Sequence, residues 1–483
     1  MGRTLVLVNL ASIMERADEA LLPAVYQEVG AALHTTPTGL GTLTLCRSIV
    51  QGACYPLAAY ASARYNRAHV IAVGAFLWAA ATFLVAISET FLQIAISRGL
   101  NGIGLALVIP AVQSLVADST DDEHRGMAFG WLQLTSSIGS ILGGICALLL
   151  APHTIFGIAG WRFAFHLVAA ISVLVGILVW FFAVDPNFRT TVQAAPALDE
   201  SEKRSAWEEA KKQLREARAV VKIPTFQILV AQAVAGSFPW SAMTFTAMWL
   251  ELAGFTHADT AVVMAGFAAA LPLGGIFGGK IGDALAHRYP NAGRIVISQI
   301  GAGLAVPLAA ILIFGLPNDR STAIAHALVL SVMGAILSFS PAATNGPIFA
   351  EIVPVKARTS IYALSMSFTS ILSSFAPPAV GFLSQHLYGF KPTDGGGSSG
   401  AEGDRENAVS LGKALYTIIA VPMTICTLVY SFLYRTYPRD KESARMQARV
   451  GSELMEEGDA LPCDQPETGD DGGRTAKLLA IKQ

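Results

Sequence analysis

The stretch Ile13-Met14-Glu15-Arg16-Ala17-Asp18-Glu19-Ala20 sets four ionisable residues within five positions. An apolar run from Leu5 to Ile13 precedes them, and the run from Ala20 to Tyr26 follows. If the whole segment is one membrane-crossing helix, these charges fall near the bilayer midplane. A charge there costs a few kcal/mol and persists only facing a polar cavity or a partner. At helical spacing Glu15, Asp18 and Glu19 share one face, with Arg16 to its side. If instead the apolar run is a soluble or signal-like segment, the charges are merely its wet end. The remainder of the chain decides between the two.

Only 14% of the 483 residues are charged, 53% are hydrophobic, and the mean hydropathy is +0.50. Soluble domains carry about 25% charge, so this is a membrane composition. The net charge of −2 and the lack of a basic arm give no sign of a nucleic-acid partner. Cys46, Cys54, Cys146 and Cys426 lie in apolar runs and Cys463 near the C-terminus. Without a CxxC or a His/Cys cluster, neither a disulfide framework nor a metal site is expected. The first apolar stretch lacks a small-residue cleavage site and is interrupted by charge, which argues against a secretory signal.

Runs of about 20 residues are long enough to span a bilayer. Twelve are found, at 4–30, 38–63, 70–88, 93–117, 126–151 and 160–183, then 226–253, 258–286, 294–315, 321–350, 358–387 and 411–434. They divide the chain into an N-terminal bundle (1–184), a charged linker (185–225), a C-terminal bundle (226–434) and a tail (435–483) expected to be disordered. The Gly/Ser-rich stretch 395–407 is likewise expected to be disordered. Within the linker, Trp207, Leu214 and Val221 recur every seven residues on a mixed-charge helix. That helix either lies on the membrane surface and tethers the two halves or is a solvated linker. Arginine and lysine concentrate in alternate loops, at Arg64 and Arg67, Arg125, 203–222, Arg288 and Arg294, and Lys356 and Arg358. This bias places both termini and the linker in the cytoplasm. The plasma membrane is the default location, with an endomembrane as the alternative.

The halves repeat one another. Ala117-Asp118 with Arg125 is matched by Ala350-Glu351 with Arg358 at the same offset. Ala63-Arg64-Tyr65-Asn66-Arg67 corresponds to Gly282 through Arg288, each after the second helix of its half. Two six-helix halves of this kind rock about a central site in many transporters. The expected fold is therefore an all-α membrane protein of twelve helices in two pseudo-symmetric bundles.

These residues carry a family resemblance. Gly278-Gly279-Lys280-Ile281-Gly282-Asp283 with Arg288 is similar to the loop motif of the major facilitator superfamily between helices eight and nine. Arg98-Gly99-Leu100-Asn101-Gly102-Ile103-Gly104 is similar to its fourth-helix motif, and Gly160-Trp161-Arg162 to the opening of its sixth helix. Met14-Glu15-Arg16 resembles the Asp-Arg pair in the first helix of Spinster-like proteins, and Gly236 through Ala242 looks Spinster-like as well. The whole is most similar to a branch found in plants and algae. Ala63 departs from the pattern, because the family usually has an acid there.

Two further charges lie within apolar runs, Arg47 in the second and Arg98 in the fourth. With Glu15, Arg16, Asp18 and Glu19 they make a set of zero net charge, which a wet cavity can sustain. Parting a carboxylate from its arginine as the halves rock would let it take up a proton. The Spinster-like resemblance implies that coupling role for Glu15, Arg16 and Arg98. The set could also bind an anionic head group without coupling, or simply brace the helices. Arg64, Arg67, Asp118, Arg125, Asp283, Arg288, Glu351 and Arg358, at one set of helix ends, are expected to gate the cytoplasmic side, or are ordinary loop charges. Gln133, Gln232, Trp240 and Asn345 are candidate substrate contacts, or else helix-to-helix hydrogen bonds and anchors.

Gly274 to Lys280 has the glycine and lysine spacing of a phosphate loop. It ends in Ile281 instead of Ser or Thr and lies within a span, which argues against nucleotide binding. No assembled motif for bond chemistry appears, so an enzyme is not expected. The reading is a monomeric secondary transporter driven by a proton gradient, with no cofactor and with membrane lipids around it. The resemblance implies an amphipathic, lipid-like substrate such as a lysolipid or sphingoid base, or an organic anion. A multidrug exporter and a non-transporting receptor or scaffold are the alternatives.

Overall fold

The computed structural model describes residues 2–118, 125–185, 221–317, 319–352, 358–391 and 401–459. The proposed linker helix at 201–221 lies almost entirely outside the described residues, as does the tail beyond Asp459. The chain divides into two units after Asp440, and the membrane spans belong to the first.

All twelve expected spans are helical. The first half holds Gly2–Ala24 continued by Tyr26–Leu33, then Pro37–Arg64, Arg67–Ile87, Phe91–Asp118, Arg125–Leu150 and Gly160–Phe182. The second half holds Pro224–Ala242 continued by Thr246–Leu252, then His257–Arg288, Gly293–Ala310 and Ala323–Leu337 continued by Gly346–Ile352. Arg358–Ser373 with Ala376–Phe382 is the eleventh span, and Ala401–Asp459 contains the twelfth. By length and composition alone, 8 of the described helices are apolar enough to cross a membrane. The first span is not among them, since its charges dilute its hydropathy.

Caps mark several ends. Thr36 accepts from the Gly39 amide with Pro37 at the first helical position, and Thr256 and Asp259 close a capping box. These bonds satisfy amides that a helix start leaves without partners. Between the fifth and sixth spans, β1 (Thr154–Ile155) and β2 (Ile158–Ala159) form a minimal hairpin. Its turn uses positive φ at Phe156 (52°) and Gly157 (78°), the handedness that suits the strand twist. Two-residue strands leave no readable alternation, so this hairpin has no signature in the sequence.

Packing repeats with the pseudo-symmetry. The second span packs on the fourth as the eighth does on the tenth, and the first on the fifth as the seventh does on the eleventh. The halves meet where the second span packs on the eleventh and the fifth on the eighth. Because successive spans alternate in direction, one face carries the N-terminus, and residues 33–37, 252–257 and 387–391 lie on the far face. At the far face the seam is closed by backbone. An ideal Cβ on Gly41 would lie 2.5 Å from the Pro377 carbonyl carbon, and one on Gly381 would lie 2.5 Å from the carbonyl carbon of Pro37. Only glycine permits such an approach. Thr38 hydrogen-bonds Gln385 across this seam, and the Tyr26 and Phe245 rings lie 4.9 Å apart.

Two expectations need correction. The stretch 401–407 and the first part of the tail, 435–459, are helical where disorder was expected. Their Ala, Glu, Arg, Lys and Met residues are good helix formers.

Candidate functional site

Both the first and seventh spans break where they line the interior. Pro23 precedes the break between Ala24 and Tyr26, and Pro239 precedes a short turn of 3₁₀ helix at Met243–Phe245. Proline removes a hydrogen bond and bends the helix, and residues before the first break and on both sides of the second line the space between the halves. That space is a cavity of about 420 Å³ lined by Arg16, Glu19, Arg47 and Arg98 from the first half and by Trp240 and Thr244 from the second.

The opening stretch does lie inside the bundle. Arg16 Nη1 donates to Glu19 Oε2 at 2.7 Å, and Arg16 Nε lies 3.3 Å from Glu15 Oε2. Arg47 Nη2 reaches the other Glu19 oxygen at 2.8 Å. Glu19 is thus bridged by two guanidinium groups, while Glu15 meets one through a single oxygen. Glu15 Oε1 is buried without a hydrogen-bond partner. Asp18 departs from the expected arrangement. Its carboxylate accepts from the Thr82 hydroxyl and from Asn101 Nδ2 at 2.8 Å, and it is completely buried against the third and fourth spans. Thr82 and Asn101 therefore belong to the site, and the sequence reading missed them. Asn101 lies three positions after Arg98, one helical turn along, and that adjacency was the available signal.

Arg98 is 1% exposed, yet its Nε and Nη1 have no hydrogen-bond partner. Arg47 Nε and Nη1 are in the same condition. Both arginines line the cavity, and guanidinium donors without partners lie buried just behind its wall, a positive surrounding that is the complement of an anionic group. Tyr26 adds a hydroxyl paired with Thr44 beside them.

A second cavity of about 410 Å³ lies within the C-terminal half. Trp240 lines both cavities, and Met366, Met423, Leu337 and Phe349 give the second an apolar wall. Gln232 Nε2 donates to Asn345 Oδ1 at 2.7 Å, and Tyr430 donates to the same oxygen at 3.4 Å. Gln232 and Asn345 therefore pair with each other between the seventh and tenth spans while also lining this cavity. The Gln133 side chain lies outside the described ones.

Of the residues expected at the gate, the side chains of Arg64, Asp118, Arg125 and Arg358 also lie outside those described. Arg67 is held inside its own half, where its Nε is 2.9 Å from Asp185 Oδ2 and its Nη1 2.8 Å from Ser114. Asp185, at the end of the sixth span, is a partner that the sequence reading did not name. Asp283 pairs with Arg294 at 2.9 Å, Glu351 accepts from the Tyr437 hydroxyl, and Arg288 lies 6.0 Å from the Tyr289 ring centre. Gly274, part of the apparent phosphate loop, instead lets the eighth span touch the tenth. An ideal Cβ there would lie 2.1 Å from the Ala335 carbonyl oxygen.

Comparison with known proteins agrees with this architecture. The Major Facilitator Superfamily model matches residues 8–346. The cis,cis-muconate transport protein of Acinetobacter baylyi is 24% identical over 393 residues, 77% of this chain and 85% of that one. Multidrug resistance protein 1 of Bacillus subtilis is 32% identical over 147 residues, 30% of this chain and 36% of that protein. Among solved structures, a bacterial homolog to the human lysosomal transporter Spinster, in an inward-facing and unoccupied conformation, superposes with a TM-score of 0.74. That structure is 18% identical, and the match covers 90% of this chain and 97% of that one. The D-xylose-proton symporter follows at 0.67 and 15% identity, covering 91% and 98%. The Spinster-like resemblance holds at the level of fold, and these relatives are transporters, not enzymes. The chain belongs to the Major Facilitator Superfamily and is a multi-pass membrane transport protein.

Proposed function

We propose that the protein is a proton-coupled secondary transporter of an amphipathic organic anion, with both termini in the cytoplasm. The observation that carries this reading is the pair of arginines on the cavity wall with unfilled donors, Arg98 and Arg47. A carboxylate or phosphate head group would fill them. The apolar second cavity, joined to the first at Trp240, gives room for a hydrocarbon portion. Glu15 is the proton carrier in this scheme. One of its oxygens faces Arg16 and the other has no donor, so drawing Arg16 away as the halves rock favours protonation. Arg64, Arg67, Asp118, Arg125, Asp283, Arg288, Glu351 and Arg358 then govern closure of the cytoplasmic side.

The name of the muconate transport protein adds support for a carboxylate substrate. The multidrug resistance relative favours a second reading, a multidrug exporter, over a shorter stretch of chain. Proteoliposomes with an imposed pH gradient separate the two. Counterflow and pH-driven uptake are measured with cis,cis-muconate, with a lysophospholipid and with ethidium. Uptake of either anion, with pH-driven uptake lost and counterflow kept in Glu15→Gln, is the expected result. Transport of ethidium alone would replace this reading with the exporter. Proton-driven uptake unchanged by Glu15→Gln would remove Glu15 from the coupling role.

A further inference from the structure

One cluster of ionisable side chains has no part in that scheme. Glu28 stands on the continuation of the first span, Glu251 near the end of the seventh and His257 at the start of the eighth. They meet across the seam at the far face. His257 Nε2 lies 3.6 Å from Glu28 Oε1, and His257 Nδ1 lies 2.8 Å from Glu251 Oε1. One ligand atom from each residue lies within 4.8 Å of the other two.

The Glu251 side chain is 4% exposed, and neither of its oxygens accepts a well-formed hydrogen bond. Glu28 Oε2 is also buried and unbonded. Among the described residues, His257 is the one basic group that reaches either carboxylate. Two largely enclosed carboxylates sharing a single imidazole are short of positive charge, and a lowered dielectric makes that deficit costly. The donor set is one imidazole nitrogen with carboxylate oxygens, which suits a first-row divalent ion. Magnesium and calcium prefer oxygen alone. Metal–ligand bonds near 2.1 Å in tetrahedral geometry set ligand atoms about 3.3 Å apart. An imidazole ligates through one nitrogen, so one of the 2.8 Å and 3.6 Å contacts is a ligand-to-ligand spacing, and the three ligand atoms lie within 4.8 Å of one another, which a small closing movement brings to that distance.

We propose that Glu28, Glu251 and His257 bind a divalent transition ion of the zinc type, which staples the far face shut. Glu28 belongs to one half and the other two ligands to the opposite half, so the complete set exists only while this face is closed. An ion that binds one state better than the other shifts the population toward it. The partly exposed imidazole leaves the site reachable from the far side, where solvent can supply a fourth ligand. The site was invisible in sequence because no two of its ligands stand at metal-motif spacing.

The test uses the full-length protein in detergent with its five cysteines replaced, since thiols also bind zinc. Competition with a chromogenic chelator measures Zn²⁺ binding. One ion per chain is expected, with no displacement by excess Mg²⁺. Glu28→Gln and Glu251→Gln should each weaken binding on the order of 100-fold, as loss of one ligand from a small set does. Melting temperature and elution volume verify that each variant is folded. Because the two variants lie in different halves, the failure of one to fold leaves the other to decide. Nitroxides at Glu89→Cys and Lys391→Cys report separation at the far face, and Zn²⁺ should narrow their distances toward the short end. Binding equal to wild type in both Gln variants, or no binding by wild type, overturns the site. Binding with unchanged nitroxide distances overturns the staple.

Discussion

Arg98 is enclosed by protein while two of its N–H groups go unanswered. A buried guanidinium without a carboxylate destabilises the resting protein and favours whichever anion relieves it. Arg98→Met should therefore leave the melting temperature in detergent unchanged or raised. The same variant should weaken binding of the transported anion about 30-fold, the value of roughly 2 kcal/mol of charged hydrogen bonding. Equilibrium binding and thermal melting of one preparation check both parts. Asp18 and Glu15 should separate in the opposite sense. Asp18→Asn is expected to cost about 1–2 kcal/mol of stability through its bonds to Thr82 and Asn101 while leaving proton-driven uptake in place. Glu15→Gln should melt near wild type and lose coupling. Sequence spacing showed that four charges lie together, but not which of them turn to the cavity. A helical wheel gives angles within one helix. The neighbours that claim Asp18 stand on two other helices.

At the scale of elements, small residues matter where helices cross. Gly41→Leu would push a side chain into the Pro377 backbone and hold the far face apart. Overpacking of this kind costs about 1–3 kcal/mol. The expected outcome is faster labelling of a cysteine at Thr38 from the far side, measured against the glycine parent. On the opposite face, Arg67 and Asp185 form a buried pair that ties the third span to the end of the sixth. Arg67→Ala takes the guanidinium from a buried carboxylate that keeps the residue-67 amide, and should destabilise the first half by up to about 3 kcal/mol, read as a lowered melting temperature. The spans themselves were legible because runs of about 20 apolar residues have few alternatives. Their breaks were less so. Pro23 and Pro239 were visible, but proline alone does not say whether a membrane helix bends, stops or continues.

For the whole molecule, the two-fold pattern was readable from paired motifs, and the packing of second on eleventh and fifth on eighth spans repeats it in space. What no local pattern could show was which face is closed. That depends on contacts between residues hundreds of positions apart, such as Thr38 with Gln385. Joining cysteines at these two positions with a short bifunctional thiol reagent should stop uptake, and reduction should restore it. Uptake that continues through the cross-link would mean that the two halves do not part here during transport. The seam has a consequence for the surrounding medium. At Gly41 and Gly381 the halves touch through uncharged backbone, so ionic strength has nothing to screen there. Among the described residues, the ion pair across this seam is that of His257 with Glu28, so electrolyte acts on closure of this face through the cluster those two form with Glu251. Aqueous salts should therefore sort by their coordinating cation and not by concentration.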